Sequence, residues 1–170
     1  NGLDSSRVTY AFTPAGRMRY YVVDRTNNIH IIYTYNQSNQ LQSVKDCLAP
    51  FGNHYWCGYY NYHYNDQGQL ATIRSHNLRN DLPLDSMELF SVDSLVYRDT
   101  LLMERWTLNA DHQPRQVAHY TYNRRQQLVE EQGQQLKVAQ PFSYTKTYRY
   151  HCNRALRTKT EQYYKGGQQQ

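Results

Sequence analysis

Tyr59–Thr72, YYNYHYNDQGQLAT, decides how the whole chain is read. Tyr60, Tyr62 and Tyr64 alternate with Asn61 and His63, the period-2 signature of a half-buried strand. Asn65-Asp66-Gln67-Gly68 is a turn cluster in which Gly68 can take a positive φ at little steric cost. Gln69-Leu70-Ala71-Thr72-Ile73 starts the return strand. The stretch reads as a β-hairpin.

The same pattern recurs along the chain. With the second aromatic of the hairpin as reference, the reference positions are Phe12, Tyr35, Tyr64, Leu108, Tyr122 and Tyr150. Two residues earlier stand Tyr10, Tyr33, Tyr62, Trp106, Tyr120 and Tyr148, all aromatic. One residue later come Thr13, Asn36, Asn65, Asn109, Asn123 and His151, mostly turn formers. Six residues later come Met18, Leu41, Leu70, Pro114, Leu128 and Leu156, preceded by Arg17, Gln40, Gln69, Gln113, Gln127 and Ala155. Pro114 is the one residue in its column unsuited to a strand. Self-similarity of this kind marks a repeat protein, here with an irregular period. Copies four and five lie so close that one strand must serve as the return of one and the approach of the next, as in a meander.

This motif resembles the YD repeat of Rhs-type proteins: aromatic, any residue, Tyr, Asp, a short turn with Gly, then Arg-Leu. Phe12-Thr13-Pro14-Ala15-Gly16-Arg17-Met18 and Tyr64-Asn65-Asp66-Gln67-Gly68-Gln69-Leu70 match it best. Asn or another residue replaces the Asp in every copy, Gly is kept at Gly16 and Gly68, and Arg at Arg17. The resemblance implies long antiparallel sheets, sometimes closed as a shell around a toxin, and carbohydrate binding. Six irregular copies are too few for such a shell. The expected fold is all-β: a twisted antiparallel meander of repeated β-hairpins, about ten to twelve strands, in an open or partly closed sheet that hides its edges by curling.

One domain is expected at 170 residues. Only 39% of residues are hydrophobic, yet 18 are Tyr, so the buried face of the sheet is expected to be largely aromatic. A net charge of +5 is modest, and no known motif joins the scattered Lys and Arg to stacking aromatics, so no nucleic-acid partner is expected. No signal-peptide pattern or transmembrane run is read in the chain.

Nine residues separate Cys47 from Cys57 in CLAPFGNHYWC, and Pro50 and Gly52 make that segment a loop between two strands. A disulfide closing it contributes about 2–3 kcal/mol in an oxidising compartment, leaving Cys152 free. The rival reading is three reduced cytosolic thiols. The disulfide reading places the protein in the periplasm or the secreted space, with envelope anchoring as a variant.

Residues 1–7 are read as a frayed N-terminus, 8–164 as the repeat domain and 165–170 as a disordered polar tail. Residues 74–100 break the rhythm. Asp85-Ser86-Met87-Glu88 resembles a helix capping box, but Phe90, Val92 and Val96 are strand formers, and the strand reading is preferred for 87–97.

Candidate chemistry is sparse. Cys47, His54 and Cys57 lack a fourth metal ligand, so no metal and no cofactor is expected. His151-Cys152 are neighbours whose side chains point apart in a strand. Glu130-Glu131 and Asp81/Asp85 sit in polar surroundings that suit solvated charges. No phosphate loop or nucleophile elbow appears. The densest aromatic run, Tyr55, Trp56, Tyr59 and Tyr60, is the expected ligand or partner surface, with packing beneath the Cys loop as its alternative. The expected function is a non-enzymatic binding or assembly module of the bacterial cell envelope or secreted space, with a glycan or protein partner. The alternatives are a partner-capping protein of immunity or chaperone type, and an enzyme whose site the sequence does not display.

Overall fold

A computed structural model describes residues 7–24, 29–51, 54–78, 88–136, 142–150, 156–165 and 168–169. The protein is all-β, an antiparallel meander in which strand order is chain order. The strands are β1 (Arg7–Phe12), β2 (Met18–Asp24), β3 (Ile29–Tyr35), β4 (Leu41–Phe51), β5 (His54–Tyr64), β6 (Leu70–Leu78), β7 (Glu88–Arg98), β8 (Leu101–Asn109), β9 (Pro114–Tyr122), β10 (Leu128–Gln135), β11 (Phe142–Tyr150), β12 (Leu156–Lys165) and the two-residue β13 (Gln168–Gln169). The described residues include no helix, and none is long and apolar enough to cross a membrane. The chain divides into two units, Asn1–Tyr64 with Ile73–Phe90, and Asn65–Thr72 with Ser91–Gln170.

All six reference residues close a strand or lie one residue from its end. The turns explain the recurring motif. In copy two, Asn36 N–H donates to Gln40 O and Asn39 N–H to Asn36 O, both at 2.9 Å. That is a three-residue loop whose fourth turn position must be left-handed. Gly16, Asn39, Gly68, His112 and Gln126 occupy it, with φ between 57° and 76°. One residue of each return strand is then skipped in the ladder: Thr34 pairs with Ser43 and Tyr35 with Leu41, so Gln42 bulges. Arg19, Met103, Arg115, Val129 and Arg157 are skipped in the same way. Such bulges increase the local twist. Pro114 fits because it is the first residue of its strand, where a missing N–H is tolerated.

The Asn of the turn does more than tolerate a bend. Asn123 Oδ1 accepts from the N–H groups of Arg125 and Gln127, while Asn123 Nδ2 donates to Gln127 Oε1 at 3.0 Å. Asn36–Gln40 and Asn65–Gln69 make the same side-chain clasp at 3.0 and 2.9 Å. In copy one, Thr13 Oγ1 accepts from Arg17 N–H.

β9 is both the return of copy four and the approach of copy five, as the spacing predicts. This sharing has a consequence for direction. The Asn109–Gln113 turn lies at the opposite end of the strands from the turns after β7 and β9. A further hairpin, β7–β8, turns at Asp99-Thr100 and pairs Tyr97 with Leu102, so Tyr97 takes the reference place that the motif search missed. Residues 88–98 are strand rather than helix. Asn80–Asp85, His151 and Cys152 fall outside the described residues. Gln168–Gln169 pair with Tyr164 and Lys165, in the segment expected to be a structureless tail.

Burial is thin. Among the described residues, the buried hydrophobics are Cys47, Val92, Val117 and Ala118, with Ser43 and Asp93 as buried polar residues. In the first unit, register places Tyr21, Ile31, Tyr33, Val44 and Tyr60 on one face. Burial, and then the neighbouring hydroxyls of Tyr60, Tyr64 and Tyr33, push the Tyr62 phenol up. The aromatic face expected from composition is therefore present there, half-buried rather than enclosed.

Candidate functional site

In the second unit, one face of β9–β12 combines rings with fixed charges. Register sets it out: Tyr120 lies opposite Glu131, Glu131 opposite Lys146, and Lys146 opposite Glu161, while Ala118, Gly133, Tyr144 and Tyr163 form the adjoining row. Strand alternation puts both rows on the same side. Gly133 is buried because the Tyr144 ring lies across it, filling the space that a Cβ would need. A glycine inside a strand commonly marks such a close approach.

From that position Tyr144 donates its hydroxyl to Glu131 Oε1 at 2.7 Å. Lys146 Nζ donates to the same oxygen at 3.1 Å, and Tyr148 donates to Glu131 Oε2 at 3.2 Å. Burial works to raise the Glu131 pKa, but these three donors and the Lys146 charge outweigh it and hold the carboxyl below the usual range. Burial first, and then its bond to the carboxylate, push the Tyr144 phenol well above its ordinary value. Lys146 Nζ also sits 4.5 Å from the Tyr144 ring centroid, a cation–π contact. On β7 and β8, Arg105 Nη2 and Thr107 Oγ1 each donate to Asp93 at 2.6 Å.

Beside this network lie three rings. Phe142 stacks on Tyr163 with centroids 5.5 Å apart and planes 24° apart, and Tyr144 lies 6.3 Å from Tyr163 and 6.4 Å from Phe142. Tyr163 is 38% exposed. Its hydroxyl donates to Glu161, which also pairs with Lys159. The surface can stack on a flat apolar group and offer hydrogen bonds at its margin. Proton transfer near neutrality is another matter. Glu131 is a weak base and Tyr144 a weak acid, because the shifts move both away from pH 7.

The expected surface at 55–60 is arranged differently. The side chains of Tyr55, Trp56 and His54 fall outside the described set. Tyr59 and Tyr60 are successive residues of β5 and point to opposite faces. Tyr59 shares its face with Lys45 and meets His76, ring centroids 6.4 Å apart. Tyr60 lies back over Gly58, opposite Val44. Cys47 and Cys57 form the expected disulfide, but within the strands: they are directly opposed in a hairpin that continues to Phe51 and His54.

Sequence reasoning took Glu131 for a solvated charge. Its side chain is only 14% exposed. The lone Gly133 in a Gln-rich strand was the available signal, since it calls for an aromatic from the next strand. Among the described residues, no group of three or more His, Cys, Asp and Glu could hold a metal ion. No protein-family model matches the chain, and no curated protein sequence matches it.

Proposed function

We propose that this protein is a non-enzymatic binding module of the bacterial cell envelope or secreted space that takes a glycan on an aromatic sheet surface. The observation that carries the reading is the Phe142–Tyr144–Tyr163 platform, with Tyr163 open to solvent beside Glu161 and Lys159. Aromatic faces stack on the C–H faces of sugar rings, and fixed carboxylates and ammonium groups meet their hydroxyls. The Cys47–Cys57 disulfide supports an oxidising compartment. The Asn–Gln clasps stand where the YD motif has Asp and Arg, a neutral pair in place of a charged one, and support the YD-repeat resemblance. Titration with neutral and anionic oligosaccharides, followed by NMR, tests the reading. Binding that shifts the Phe142 and Tyr163 ring signals and is lost in Tyr163→Ala is expected; no shift with any sugar sinks it.

A second reading, a partner-capping protein, is favoured by β1. Among the described strands β1 has a single neighbour, and its Val8, Tyr10 and Phe12 are 45%, 58% and 54% exposed. A protein partner adding a strand there would gain main-chain bonds and apolar contact together. Recovery of one stoichiometric protein partner, lost when Tyr10 is made Lys, would select it.

A further inference from the structure

We propose that Cys47–Cys57 is an exchangeable disulfide, opened by a dithiol and closed again by the oxidised, disulfide form of such a partner while the sheet stays folded. The two residues are directly opposed on β4 and β5, with Cα atoms 4.1 Å apart. So short a separation marks a non-hydrogen-bonded pair of an antiparallel ladder. Pairs on both sides, among them Lys45 with Tyr59 and Leu48 with Trp56, already fix the register. The bond closes a loop with a sequence separation of 10 that the hairpin itself closes. The folded ladder therefore does not depend on it for alignment.

The neighbourhood is built for exchange. His30 on β3 is directly opposite Cys47 on the same face. A ring N–H beside a sulfur favours the thiolate and makes it a better leaving group. Cys47 is 8% exposed, whereas Cys57 is part-exposed. That asymmetry assigns the roles. The reductant's thiolate attacks Cys57 Sγ, the S–S bond breaks, and its electron pair leaves on Cys47 Sγ beside His30. The second thiol of the reductant then attacks the mixed disulfide and releases Cys57. Two electrons and two protons have passed to the pair, and the reductant departs as its own disulfide. The other titratable groups on this face include Arg7 on β1, Tyr20 on β2, Lys45 on β4, Tyr59 and His63 on β5, and on β6 Arg74 and His76, the latter meeting the Tyr59 ring. Asp46 points to the opposite face.

Dithiothreitol is the probe. The oxidised protein is treated under native conditions, thiols are trapped with a maleimide at intervals and located by mass spectrometry, and far-ultraviolet circular dichroism is followed in parallel. Cys47 and Cys57 are expected to be trapped together while the strand signal is kept, and the bond to re-form when oxidised glutathione replaces the reductant. At a fixed pH, His30→Gln is expected to slow the reduction about threefold, the effect of about one unit of leaving-thiol pKa at a Brønsted coefficient near 0.5. Reduction only in step with loss of the strand signal overturns the proposal, and an unchanged rate in His30→Gln removes His30 from it. If His30→Gln fails to fold, thiol trapping in the unaltered protein still decides.

Discussion

Tyr64 donates its phenol hydroxyl to the carbonyl oxygen of Leu41 at 2.9 Å, reaching back to the residue that opens the return strand of the preceding hairpin. Tyr35 does the same to Met18 at 2.8 Å, Tyr122 to Leu102 at 2.9 Å and Tyr150 to Leu128 at 2.8 Å. The reference tyrosine is thus a clasp between hairpins. Phe12 and Leu108 lack the hydroxyl: Phe12 lies on the first described strand, and Leu108 belongs to the copy whose turn points the other way.

Tyr122→Phe should therefore lower stability by about 0.5–1.5 kcal/mol, the net worth of one such hydrogen bond, with the ring packing unchanged. Urea unfolding measures it. A variant as stable as the parent would show that the ring alone holds the hairpins together.

The left-handed turn position gives an independent test. A Cβ on Gly16 would meet nothing within 4 Å, so Gly16→Ala isolates the cost of its φ of 74°. A loss of about 1–2 kcal/mol is expected. Gln126→Gly, at φ 59°, should gain up to about 1 kcal/mol, the left-handed relief being partly offset by the entropy of glycine. Thermal midpoints moving in the same direction for both variants would contradict this account.

The neutral clasp of copy five can be exchanged for a charged one. Asn123→Asp with Gln127→Arg should show a coupling of about 0.3–1 kcal/mol in a double-mutant cycle at low ionic strength. In about 1 M salt most of it should vanish. Asn123→Ala alone should cost about 1 kcal/mol, since two backbone N–H groups lose their acceptor.

Glu131 links the ring surface to pH. Its folded pKa lies below the ordinary carboxylate value, so its contribution to stability is present above that value and is lost as pH falls through the folded pKa. Tyr144 has the opposite sign. Its raised folded pKa gives stability that is complete below about pH 10 and drains away above it. Glu131→Gln should be less stable than the parent at neutral pH and converge with it in acid. A stability difference that stays constant down to pH 2 would deny Glu131 this role.

Gly133→Ala should displace the Tyr144 ring and its bond to Glu131 together. A loss of about 1–3 kcal/mol, typical of overpacking, is expected. Combined with Tyr144→Ala, which removes the obstructing ring, the glycine substitution should become nearly harmless. An equal cost in both backgrounds would place the clash elsewhere.

The sequence by itself determined the hairpins, because a strand's period of two and a turn's need for Asn and Gly are local properties. Six copies showed them despite irregular spacing, and the sharing of β9 followed from the short distance between Leu108 and Tyr122. The Cys47–Cys57 pairing was legible for the same reason, since the two residues flank one bend. Tertiary structure alone decided which side chains share a face. Tyr59 and Tyr60 are neighbours in the chain, yet strand alternation sends them to opposite sides. Tyr144 and Glu131 are 13 residues apart, yet antiparallel register brings them to 2.7 Å. Register across strands is set by bulges and turn lengths that accumulate along the chain, and one skipped residue reassigns a whole face. The Phe142–Tyr144–Tyr163 platform depends on that accumulated register, so only the folded sheet brings its three rings together.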